Sequence, residues 1–254
     1  PRIDTVSPCL TSKLTCFRIE IVSDSKITSL AMFKASKIVI AFRPILFGLF
    51  CILSASLYSV AAFAQGSLVI LGDSLSAAYR MNPKESWVSL LENYLTSCGY
   101  TYKVVNLSAS GATTRSGLQK LPQALVDHRP KIVVIELGGN DGLRGYPVSK
   151  IKENLAQMIK KSLAVDAEVL LVGIKLPPNY GPEYTNSFSD MYLELGREFS
   201  IPVMPFFLEH VALNPELMMS DGIHPKAAAQ PQLLSNILPA LKSILPKAPK
   251  ACGA

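Results

Sequence analysis

Charge is scarce in this chain. Only 17% of its 254 residues are Asp, Glu, Lys or Arg, against 49% hydrophobic. Disordered and coiled-coil chains both need far more charge, so neither class fits. Cysteine is sparse as well, with five in all, which excludes a miniprotein held together by disulfides. Internal repeats and low-complexity linkers are missing, and the length suits one α/β domain. A net charge of +6 would ordinarily suggest a nucleic-acid partner, but its distribution weakens that idea. Residues 1–64 hold 7 Lys+Arg against 3 Asp+Glu, whereas residues 65–254 hold 18 against 16. The body is nearly neutral, and no nucleic-acid partner is expected.

The basic excess precedes a hydrophobic run. Lys34, Lys37 and Arg43 lead into the uncharged stretch 45–64, which ends on the small residues Ala62 and Ala64. This is the order of a secretory signal, with cleavage expected after Ala64 and a periplasmic or secreted product. The same run is long enough to act as an uncleaved membrane anchor, which stays open as an alternative. Residues 1–31 precede Met32 and read as an upstream, non-native segment, 32–64 as the signal, 65–246 as the domain and 247–254 as a tail. Two cysteines remain after cleavage, Cys98 and Cys252. Because Cys252 falls in a tail that reads as frayed, two free thiols are expected, with pairing permitted by export.

Short apolar runs recur at 67–71, 102–107, 131–137, 168–174 and 201–206, rich in Val, Ile and Leu as doubly buried strands are. Apolar residues at helical spacing lie between them, as at Trp87, Leu91 and Leu95 or Ile151, Leu155 and Met158. A last helix is expected over 230–245. Alternation of this kind predicts a parallel sheet covered on both faces, with its site at the carboxyl ends of the strands.

The residues after each strand carry the chemistry. Gly72-Asp73-Ser74-Leu75-Ser76 sets a serine in a tight strand-to-helix turn, as a nucleophile or as a helix cap. Gly111, within small residues after the second strand, leaves backbone N–H groups open to a ligand. Asn140, in the Gly138-Gly139-Asn140-Asp141 turn, offers a side-chain amide to developing negative charge, or serves only the turn. His224 has Asp221 three residues before it across a glycine turn, a spacing that lets a carboxylate orient an imidazole. His128 and His210 read as ordinary histidines, the latter in a helical stretch. Nucleophile, base, orienting acid and oxyanion donors together make an acyl-transfer set.

GDSLS with Ser74, the block holding Gly111, GGND with Asn140 and DGIHP with Asp221 and His224 resemble the four blocks of the SGNH (GDSL) hydrolases. LGDSLSAAYRM, ELGGNDGLRG, LPPNYG and DGIHPKAAAQP resemble more closely its periplasmic thioesterase and lysophospholipase branch in Gram-negative bacteria. The resemblance implies a flavodoxin-like three-layer α/β/α sandwich with a five-stranded parallel sheet. It implies metal-free, cofactor-free hydrolysis of acyl esters and thioesters, arylesterase-like or lysophospholipase-like. Ser74 would be nucleophile, His224 base and Asp221 orienter, with the Ser74 N–H, Gly111 N–H and Asn140 as oxyanion hole. A neutral His224 is needed, so activity should fall in acid. Ala78 stands where similar sequences carry glycine, and Ala112 where they often carry a charge.

Leu143, Tyr146, Pro147 and Val148 read as a loop closing over an acyl chain, with Pro178, Asn179 and Tyr180 lining the opposite side. Expected partners are a small ester or thioester substrate and transient membrane lipid, acting on a monomer. Two other readings stand beside this one: a carbohydrate acetylesterase, and a non-catalytic lipid- or flavin-binding protein.

Overall fold

The computed structural model describes residues 66–252. The expected signal segment 32–64, its cleavage site and the 1–31 segment lie outside the described residues. The chain alternates β1 (Ser67–Gly72), α1 (Trp87–Ser97), β2 (Lys103–Asn106), α2 (Thr114–His128), β3 (Pro130–Glu136), the short α3 (Gly139–Leu143), α4 (Val148–Leu163), β4 (Glu168–Val172), α5 (Pro182–Phe199), β5 (Val203–Met204) and α6 (Gln230–Lys242). The five strands pair in the order β2-β1-β3-β4-β5, all parallel. Helices α1 and α6 pack together, as do α2 with α4 and α4 with α5. The result is the expected flavodoxin-like sandwich.

Burial explains the strand composition. Leu68, Val69, Ile70, Val133, Val134, Ile135 and Val169 to Val172 are fully enclosed, so β1, β3 and β4 have no polar face to alternate with. Each such side chain contributes roughly 1.5–3 kcal/mol by leaving water. Edge strand β2 is only half-buried at Val104 and Val105 and exposed at both ends. Strand β5 is shorter than the 201–206 run suggested, because Pro202 and Pro205 flank it and proline cannot donate to a ladder. Helix α2, with Gly117 and Pro122 inside it, and helix α5 were not among the expected helices.

Two expectations are corrected. The first concerns the tail. It is not frayed, and its cysteine is not free: Cys98 and Cys252 form a disulfide with Cα atoms 4.4 Å apart. The Lys250 N–H donates to the Cys98 carbonyl at 3.0 Å, and the Tyr100 hydroxyl to the Pro246 carbonyl at 2.8 Å. A clasp closing so long a loop typically contributes about 2–4 kcal/mol. The second concerns His210, which lies in a run of turns with φ +63° and not in a helix.

Candidate active site

The parallel register brings four loops to one edge of the sheet. Strand β1 ends at Gly72, paired with Glu136 at the end of β3. The chain then turns sharply, Ser76 and Ala77 N–H both donating to the Asp73 carbonyl at 3.3 and 3.0 Å. Ser74 is presented at this turn, half-buried. The Ala109 N–H donates to the Gly72 carbonyl at 3.1 Å, so the turn holding Gly111, which follows β2, is tied to the end of β1. Gly111 has φ +79° and open space where a Cβ would stand. Neither the Ser74 nor the Gly111 N–H donates to an acceptor among the described residues.

Asn140 lies in α3, just past β3. Its Nδ2 donates to Asp73 Oδ2 at 3.0 Å, while the Leu75 N–H donates to Asp73 Oδ1 at 3.0 Å. The neighbouring Asp141 accepts from the Thr114 N–H and hydroxyl, both at 2.8 Å, and Asn154 donates to the same hydroxyl at 3.0 Å. One carboxylate thereby joins the Asn140 loop to the start of α2, beside Gly111.

The fourth loop delivers the histidine. Met218 and Pro225 form an antiparallel bridge, the Met219 N–H donates to the His224 carbonyl at 2.8 Å, and Lys226 N–H to the Leu217 carbonyl at 2.7 Å. Within this hairpin Asp221 Oδ1 accepts from the Ile223 and His224 N–H groups, each at 2.9 Å. Its Oδ2 lies 2.8 Å from His224 Nδ1. The opposite ring nitrogen, Nε2, lies 2.9 Å from Ser74 Oγ. Tyr79 packs on the imidazole with centroids 4.3 Å apart and the rings tilted by 35°. With a carboxylate on Nδ1, that nitrogen carries the proton and Nε2 faces the serine as an acceptor.

The two aspartates are tuned in opposite directions. Partial burial pushes the Asp221 carboxyl up, but the two N–H donors and the His224 ring outweigh it and hold it at about 2. Burial, reinforced by the charge of Asp141, raises Asp73 to about 6 despite its Leu75, Asn140 and His224 partners. The consequences for stability are opposite in sign. Asp221 favours folding above the ordinary carboxyl range of ~3.9, and that support is lost as pH falls towards about 2. Asp73 favours folding below ~3.9 and loses that contribution as pH rises through about 6.

The chain matches the family model of the GDSL-like lipase/acylhydrolases over residues 70–230. It is 48% identical over 182 residues to the esterase TesA of Pseudomonas aeruginosa, covering 72% of this chain and 90% of that protein. It is 47% identical over 170 residues to thioesterase 1/protease 1/lysophospholipase L1 of Escherichia coli, covering 67% of this chain and 80% of that protein. A crystal structure of TesA superposes with TM-score 0.69 at 49% identity, covering 70% of this chain and 99% of that one. The chain belongs to the GDSL-like lipase/acylhydrolase family. It is an enzyme, an SGNH hydrolase.

The expected substrate walls need revision in this acylhydrolase. The Tyr180 hydroxyl donates to the Leu143 carbonyl at 2.8 Å and the Tyr184 hydroxyl to the Tyr146 carbonyl at 2.6 Å. The 143–148 and 178–180 segments are therefore joined as one wall and do not face each other across a cleft. Pro147 caps α4 and Val148 begins it, so these two are helix start and not free loop. Pro178 and Asn179 are exposed in a single 3-10 turn, and Tyr146 is exposed beside them.

Sequence reasoning missed Asp73, Glu136 and Tyr79. Glu136 was detectable as the lone acid inside an otherwise apolar strand, KIVVIEL. Ala78, the departure from glycine, has φ +56°, which glycine adopts without strain. A shift in the Asn140 side-chain amide resonances with a midpoint near pH 6 is expected from the Asp73 titration, and its loss in Asp73→Asn. An amide signal that stays flat from pH 8 to 4 contradicts the assignment.

Proposed function

We propose that this enzyme cleaves acyl esters and thioesters through a Ser74 acyl-enzyme, with His224 as base and Asp221 as orienting acid. The continuous line Asp221 Oδ2–His224 Nδ1–Nε2–Ser74 Oγ, at 2.8 and 2.9 Å, carries the reading. Ser74 Oγ attacks the carbonyl carbon as its proton passes to His224 Nε2. Negative charge gathers on the former carbonyl oxygen, for which the Ser74 and Gly111 N–H groups and Asn140 Nδ2 are the donors. The carbon–oxygen or carbon–sulfur bond then breaks, and Nε2 returns the proton to the departing alcohol or thiol. Water, deprotonated by His224, repeats the addition and releases the acid.

The wall made by Leu143, Tyr146, Val148 and Tyr180 lies past the carboxyl end of β3 and β4, where it would hold the acyl chain. The names of the relatives, an esterase and a thioesterase/lysophospholipase, favour carboxylic esters, thioesters and lysophospholipids as substrate classes. Hydrolysis of p-nitrophenyl esters from two to sixteen acyl carbons is the test. Activity is expected to rise with chain length beyond acetate and to fall at least about 10³-fold in Ser74→Ala. A Ser74→Ala protein as active as the parent overturns the mechanism, and a strict preference for acetate overturns the fatty-acyl assignment.

We also infer export with cleavage after Ala64. The Cys98–Cys252 disulfide supports this, since such bonds persist in oxidising compartments and are rare in the cytosol. Protein from a periplasmic fraction is expected to begin at Gln65 and to carry no free thiol. Retention of the 45–64 stretch in a membrane fraction overturns the cleavage.

A further inference from the structure

Beneath the nucleophile turn lies an acid that the mechanism above does not use. Glu136 ends β3 and is fully enclosed. Its Oε2 accepts two hydrogen bonds, from the Asp73 N–H at 3.2 Å and the Ser76 hydroxyl at 2.8 Å. Its Oε1 has no partner among the described residues. The carboxyl sits hard against the backbone of β1: a Cβ at Gly72 would stand 2.7 Å from Oε2 and 2.9 Å from Ser108 Oγ. Ser108 Oγ is a second buried atom without a partner, beside the same glycine. An acid with this much enclosure and so few donors has a use beyond filling space.

We propose that Glu136 is a positioning residue for ester cleavage, one that holds the Ser74 turn and, through Asp73, the Asn140 amide in register as oxyanion donors. The inference rests on the roles given to Ser74 and Asn140 above. Two connections carry it. Glu136 grips the turn on both sides of the nucleophile, at Asp73 and at Ser76. Asp73, whose backbone N–H is the one so gripped, uses its own carboxylate to fix Asn140 Nδ2 at 3.0 Å. A shift of the turn therefore moves the Ser74 N–H and the Asn140 amide together. Displacement of a reacting group by about 1 Å costs roughly 10²-fold in rate.

Glu136 does this as a neutral acid. The titratable groups near it are Asp73 from the β1 turn and Tyr192 from α5, whose hydroxyl donates to the Leu137 carbonyl at 3.0 Å. No lysine or arginine among the described residues pairs with it. Burial and the neighbouring Asp73 charge drive its carboxyl well above the ordinary range. The two donors on Oε2 pull the carboxyl the other way, but less than burial raises it, and a carbonyl oxygen can accept both. Neutrality also matters for the reaction. A second anion under the turn would oppose the negative charge that builds on the substrate oxygen.

The test compares Glu136→Gln, Glu136→Ala and Ser76→Ala with the parent enzyme, measuring kcat, KM and melting temperature for one p-nitrophenyl ester. Glutamine keeps the accepting oxygen and cannot ionise, so Glu136→Gln is expected to retain kcat within about threefold. Glu136→Ala is expected to lose kcat about 10²-fold with KM within threefold, and Ser76→Ala several-fold in the same pattern. If Glu136→Ala does not fold, the glutamine and Ser76→Ala variants decide alone. A Glu136→Gln enzyme as impaired as the alanine variant overturns the neutral role. Unchanged kcat in Glu136→Ala, or in Ser76→Ala where the former does not fold, overturns positioning. Failure of the underlying reading shows separately, as a Ser74→Ala enzyme that stays active.

Discussion

The pairing of Gly72 with Glu136 at the last rung between β1 and β3 is the constraint on which the chemistry depends. A parallel sheet enclosed on both faces leaves no room for polar side chains until the strands end. At that rung the core gives way to function. Glycine lets a carboxyl approach the backbone, and the chain reverses directly above it. The nucleophile candidate, the Gly111 turn and the Asn140 loop are all referred to this one point, through the Gly72 carbonyl, the Asp73 N–H and the Asp73 carboxylate. The histidine hairpin is the independent part, brought in from between β5 and α6 and met by Ser74 Oγ and the Tyr79 ring.

This division explains why two carboxylates of one type serve opposite ends of the site. Asp221 is exposed, well supplied with donors and held at about 2, so it stays charged beside His224. Asp73 is enclosed, with its carboxyl raised to about 6 chiefly by burial. Environment, not residue type, sets the two roles. Asp141 is a third case, spent on tying α3 to α2 through Thr114.

Much of this was legible in the sequence, and the failures have physical causes. Doubly buried strands write themselves as Val, Ile and Leu runs, so β1, β3 and β4 were plain. The histidine was recoverable because Asp221 and His224 lie three residues apart, within one turn. Glu136 stood out as a lone acid, but its role and that of Tyr79 did not, since their partners lie 63 residues away for Asp73 with Glu136 and far along the chain for Tyr79 with His224. The disulfide was misjudged for the same reason: Cys98 and Cys252 are 154 residues apart, and nothing local marks a tail as docked. The 143–148 segment was expected to face 178–180 and instead lies against it. Two tyrosine hydroxyls, not its apolar residues, decide where it sits.

The central claim is that one serine, activated by His224, forms the covalent intermediate. Reaction of the enzyme with an alkyl fluorophosphonate, followed by peptide mass spectrometry, tests it most directly. A single adduct on Ser74, formed rapidly in the parent enzyme and slowed by orders of magnitude in His224→Ala, is the outcome this account requires. An adduct on another residue, or equal labelling with and without His224, would contradict it.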